Sequence, residues 1–111
     1  MEWIAFDNGR SEGQEGSESG TILRDDEYEG MARITLEEGC TSSPYAITCG
    51  IYGWMVHTRF FNSQDNATME FDRMREVLSE IVDGIPSQDD ANDAAIRIVS
   101  EHVARFVERF P

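Results

Sequence analysis

The chain has 111 residues, a length suited to one domain, and its 40% hydrophobic content is that of an ordered globular protein. Its 22 acidic residues outweigh nine basic ones, all of them Arg, for a net charge of −13. That field argues against non-specific binding to nucleic acid or an anionic membrane, which need positive surface charge, and no stretch approaches the roughly 20 apolar residues of a membrane span. Two readings of the acidity remain: solubility or salt adaptation, for which the absence of Lys speaks, and attraction of a basic protein partner. The start "MEWIAFDNGR" has no basic segment of the kind that begins a signal peptide, so a cytoplasmic location is expected, with Cys40 and Cys49 reduced.

In chain order, "EWIAF" (2–6) reads as a short strand, ended by Asp7-Asn8-Gly9, which readily supplies positive φ. Residues 10–20 are rich in Gly, Ser and Glu with no apolar position, and are expected as a mobile loop within a single 1–111 domain. Glycines there evoke a phosphate loop, but Glu12, Glu15 and Glu18 would repel phosphate and no Lys follows. Residues 21–38 predict a hairpin, turned by the acidic segment "DDEYEG" (25–30), whose return strand places Ala32, Ile34 and Leu36 on one face and Met31, Arg33 and Thr35 on the other. A loop at 38–44 precedes a long apolar stretch, Tyr45 to Phe61.

Residues 62–86 predict a helix, capped by Asp65 or Asn66, with Phe71, Met74, Leu78 and Ile81 at helical spacing and Gly84 in a left-handed C-terminal position. A second helix is expected from Ser87 to about Phe110, with the stripe Ala91, Ala95, Val99, Val103, Phe106 and Phe110. Asp89, Asp90 and Asp93 crowd its first turn, where the helix dipole favours acid; the glycine and terminal Glu of a calcium loop are absent. Strands first and helices last predict an α+β fold of two layers, an antiparallel sheet of about four N-terminal strands covered on one face by two C-terminal helices.

Residues 45–61 decide where the chemistry-bearing side chains point. As one strand with a bulge at Tyr52-Gly53, its core face is Ile47, Cys49, Ile51, Trp54, Val56 and Phe60. The outer face is then Thr48, Tyr52, Met55, His57, Arg59 and Phe61, joined by Arg33 from a neighbouring strand. A hairpin turning at "GIYG" is the alternative, disfavoured because Ile and Tyr are poor turn residues. The bulge sets Cys49 and His57 on opposite faces; only the hairpin would bring them together as a nucleophile pair. A zinc site from Cys40, Cys49, His57 and His102 lacks any closely spaced pair of ligands, so no metal or other cofactor is expected.

The expected function is therefore a non-catalytic, acidic protein-interaction module. Its candidate interface is Arg33, Tyr52, Met55, His57, Arg59 and Phe61, its expected state a homodimer, and its further partner a basic protein. Small acidic proteins that neutralise basic nuclease toxins offer an analogy of size and charge, with no shared motif. The alternative is an enzyme or binding protein for an anionic small molecule, with Arg59 holding the anion and His57 handling a proton.

Overall fold

The computed structural model describes residues 2–111. Five strands are consecutive in chain and sheet, each antiparallel to the next: β1 (Trp3–Ala5), β2 (Thr21–Tyr28), β3 (Ala32–Glu38), β4 (Tyr45–Ile51) and β5 (Met55–Phe61). Two helices follow, α1 (Gln64–Asp83) and α2 (Asp93–Arg109). The α+β class and the order of elements are as expected. There are five strands because residues 45–61 form two.

That stretch is a hairpin, not a bulged strand. Trp54 donates its backbone N–H to Ile51 O at 2.9 Å, and Gly53, the third residue of the turn, has φ 81°. Only Tyr52 and Gly53 occupy the centre of the turn, and glycine supplies the positive φ that its third position demands; Ile51 simply ends a strand. The register pairs Ile51 with Met55, Cys49 with His57, and Ile47 with Arg59. Paired residues share a face, so Met55, His57, Arg59 and Phe61 join the core strand residues under the helices. Val56 and Phe60, expected in the core, point the other way and are 81% and 49% exposed. Trp54 is half-buried at the core's edge.

The core lies between the sheet and the helices. Ile34, Leu36, Ile47, Cys49 and Ile51 meet Phe71, Met74 and Leu78 of α1 and Val99 and Phe106 of α2, all buried, with Phe110 closing one end. The apolar stripe of α1 is the expected one. Its cap is Ser63, whose Oγ accepts the Asn66 N–H at 3.3 Å, and Gly84 has a right-handed φ of −89°, not a left-handed one. The second helix starts later than expected, at Asp93, because the Asn92 Oδ1 accepts the Ala95 N–H at 2.9 Å; Ser87 and Asp90 form a separate turn. Polar ties join α1 to the sheet around the core: Arg24–Asp72 at 3.1 Å, Arg75–Asp26 at 2.7 Å and Arg59–Glu70 at 3.1 Å. The Tyr28 hydroxyl donates to Asp83 Oδ1 at 2.7 Å, and that bond, with burial behind it, pushes the phenol up to about 12.

Candidate functional site: a walled trough on the open face of the sheet

The face of the sheet away from the helices is built from the polar half of each alternating strand. On β3, Arg33, Thr35 and Glu37 alternate with core-facing Ile34 and Leu36. Two carboxylates on this face are fully buried, Asp25 and Glu37. A buried carboxylate needs several hydrogen bonds or a counter-charge, and each finds them differently. Asp25 is held by Arg33 in a two-pronged pair, Nε to Oδ1 at 2.9 Å and Nη2 to Oδ2 at 2.6 Å, with the Thr35 hydroxyl donating at 3.1 Å. The Arg33 guanidinium also lies over the Phe6 ring, 3.6 Å from its centre.

Glu37 has no Arg. Its Oε1 accepts the backbone N–H groups of Glu18 and Gly20, both at 3.1 Å. The segment Gly16–Gly20 thus wraps a carboxylate with its backbone, and a Cβ on Gly16 would overlap the Glu37 carboxyl group. Glycine is needed there for close approach, not for turn geometry. Further ties run from Gly13 N–H to Ile22 O at 2.8 Å and between the Ser17 and Thr48 hydroxyls at 3.3 Å. Composition alone suggests a free loop at 10–20; its backbone is in fact anchored to β2 and β3.

The anchored loop makes one wall of an open trough of about 750 Å³. Glu15, Gly16 and Ser17 form that wall, Tyr52, Trp54 and Val56 of the β4–β5 hairpin form the opposite one, and Thr35, Thr48 and Gly50 lie between them. Glu12 and Glu15 are exposed and Glu18 is half-buried; none of the three has an Arg within ion-pair distance among the described residues. Seven of the nine arginines (Arg24, Arg59, Arg73, Arg75, Arg97, Arg105, Arg109) belong to the helical layer or point into it. On the trough side only Arg33 and Arg10 remain, and they pair with Asp25 and Asp7.

The six residues expected to share one surface are divided. Arg33 and Tyr52 line the trough, and Met55 lies at its border with the core. Met55, His57, Arg59 and Phe61 turn toward the helices, and two of them are occupied there. The His57 Nε2 is hydrogen-bonded to the Phe110 carbonyl, while Arg59 donates to Pro111 O at 3.0 Å and to Glu70 at 3.1 Å and lies over the Phe61 ring. Both side chains hold the end of α2 on the sheet. Sequence reasoning sets Thr35 and Thr48 on this face without counting them in the candidate interface, and it does not single out the loop wall or Glu37. The signal available was the alternation on β3, which leaves a charged residue facing away from the core beside a Gly-rich loop.

Cys49 and His57 are cross-strand neighbours, as the hairpin requires. They do not make a nucleophile: burial pushes the Cys49 thiol up to about 12, with Arg59 pulling weakly the other way. At pH 8 a thiol of that pKa is about one part in ten thousand thiolate. Cys40 is only half-buried, though burial and the nearby Glu37 and Glu18 raise it as well. A thiol reagent at pH 8 is expected to titrate one cysteine slowly in the folded chain and both after denaturation; rapid modification of two would contradict this burial.

Among the described residues no group of three or more His, Cys, Asp or Glu is placed to hold a metal ion. A smaller cleft of about 240 Å³ lies between the helices, lined by Val77, Ile81, Phe106 and the exposed His102, Arg105 and Arg109. Among the described residues no helix is long and apolar enough to cross a membrane. Comparison of the chain with protein-family models, curated proteins and solved structures finds no match.

Proposed function

We propose that this protein is a non-catalytic interaction module that receives a basic segment of another protein in the trough. The observation that carries this reading is the asymmetry of the trough: a wall bearing unpaired Glu15, flanked by Glu12 and Glu18, faces a wall of Tyr52, Trp54 and Val56. An Arg or Lys side chain bound there sets its charge against the carboxylates and its alkyl stem or guanidinium against the aromatic rings, an arrangement favoured by both Coulomb attraction and cation–π contact. The net charge of −13 adds long-range steering of a cationic partner. The rival reading, an anion on His57 and Arg59, would have to displace Phe110, Pro111 and Glu70 from them.

Calorimetry with a synthetic peptide alternating Arg and aliphatic residues tests the proposal. Binding is expected, weakening as salt rises. The variant Glu12→Gln/Glu15→Gln/Glu18→Gln should weaken it about tenfold or more, at an effective dielectric appropriate to surface pairs. The control Glu76→Gln/Glu101→Gln/Glu108→Gln changes the net charge equally on exposed helix positions and should leave most of the affinity. Equal losses in the two variants would mean that the peptide reads only total charge, and the trough would be the wrong site.

A further inference from the structure

Acid is spread through this chain at one residue in five, yet residues 39–64 contain no Asp or Glu. That segment is the loop before β4, the β4–β5 hairpin and the entry to α1. It ends the sheet: β5 is the last strand in the order β1-β2-β3-β4-β5, so one side of it has no strand neighbour. Exposed edges are usually blunted by Lys, Pro, a bulge or a charge, because unpaired backbone groups recruit another strand. β5 has no Lys and no Pro, and its register with β4 runs unbroken for seven pairs. Its one charged residue, Arg59, is already engaged by Glu70 and Pro111. Its open-face residues are Val56, Thr58 and Phe60, and the two apolar ones are largely exposed.

The sequence of β5 is also self-complementary. About Thr58, Val56 is balanced by Phe60 and Met55 by Phe61, while His57 falls opposite Arg59, each already tied within its own chain. We infer that two copies of this chain pair β5 against β5, antiparallel, with a two-fold axis at Thr58, joining their sheets into one of ten strands. Val56 of each copy then packs across the seam on Phe60 of the other, as an aliphatic–aromatic cross-strand pair. Charge selects the occupant. A basic foreign protein is drawn to carboxylates, and this edge has none. Two chains of charge −13 repel wherever their acidic surfaces meet, and the acid-free edge is where they approach at least cost. The two troughs would lie on the same face of the joined sheet. This inference does not depend on what the trough binds, and no peptide is needed to test it.

Sedimentation velocity on the chain alone, at about 50 micromolar and an ionic strength near 0.15 M, where fields are screened within about 8 Å, should show a dimer. Val56→Glu and Phe60→Arg, each at an exposed position and so expected to melt close to wild type, should each raise the dissociation constant about tenfold or more. In the double variant Val56→Glu/Phe60→Arg each new acid faces a new base across the seam, and the dimer should return. A monomeric wild type, a dimer indifferent to either single change, or a double variant that stays apart would overturn the inference.

Discussion

Arg33→Ala is expected to destabilise the fold by about 3 kcal/mol, the largest loss for any change on the open face. Asp25 is fully buried and takes both prongs of the Arg33 guanidinium. Removing the guanidinium strands a charge whose desolvation was offset by that pair, and breaking a buried pair costs about 3–5 kcal/mol. The low end applies because Arg33 keeps an outer edge in water, with 35% of its side chain exposed, and because Thr35 still donates to Asp25. Asp25→Asn should cost less, on the order of 1 kcal/mol, since the amide oxygen still accepts from Thr35 and a half-exposed Arg33 can turn to water. Denaturant melts of the two variants decide it. Equal small losses would mean that the pair is solvated and contributes as a surface bridge does.

Glu37→Ala is expected to free the loop at 16–20 and remove one wall of the trough. The Glu18 and Gly20 amides lose their acceptor, and a buried amide left unpaired costs about 1–3 kcal/mol. Detachment limits that cost, because amides that reach water are satisfied again; about 2 kcal/mol in total is the expected loss. Gly16→Ala should give the same phenotype by a different route, steric collision with the Glu37 carboxyl group. Both variants are therefore expected to become open to protease within residues 10–20 while α1 and α2 keep their circular dichroism signal. Cleavage no faster than in wild type would show that the loop is held by its other ties to Ile22 and Thr48.

Most of the architecture is legible in the sequence because it rests on local periodicity. The stripe of α1, the alternation of β3 and the hairpin over 21–38 follow from spacing. The acidic segment 25–30, expected to turn that hairpin, does so only at Glu29-Gly30, where both residues have positive φ; Asp25 to Tyr28 stay in β2. The stretch 45–61 misleads for a reason that lies in its composition. The β4–β5 hairpin puts His57 and Arg59 beneath the helices and Val56 and Phe60 in the open, so polarity points away from the true register. Sorting apolar residues inward selects the bulge; what reverses it is tertiary. His57 and Arg59 are tolerated inside because the backbone at the end of α2 and Glu70 satisfy them. Equally, no local pattern announces that a loop of Gly, Ser and Glu will close around a carboxylate two strands away along the chain. Only the alternation of Arg33, Thr35 and Glu37 hinted that this face carries more than solvent.

The claim that the trough is the binding surface is tested most directly by amide chemical-shift mapping of the isotopically labelled chain titrated with the arginine-rich peptide. Saturable shifts are predicted at Glu15–Ser17, Thr48, Gly50 and Tyr52–Val56, with α1 and α2 nearly still. Shifts spread over the acidic helical surfaces, or confined to His57 and Arg59 with the trough silent, would contradict the account.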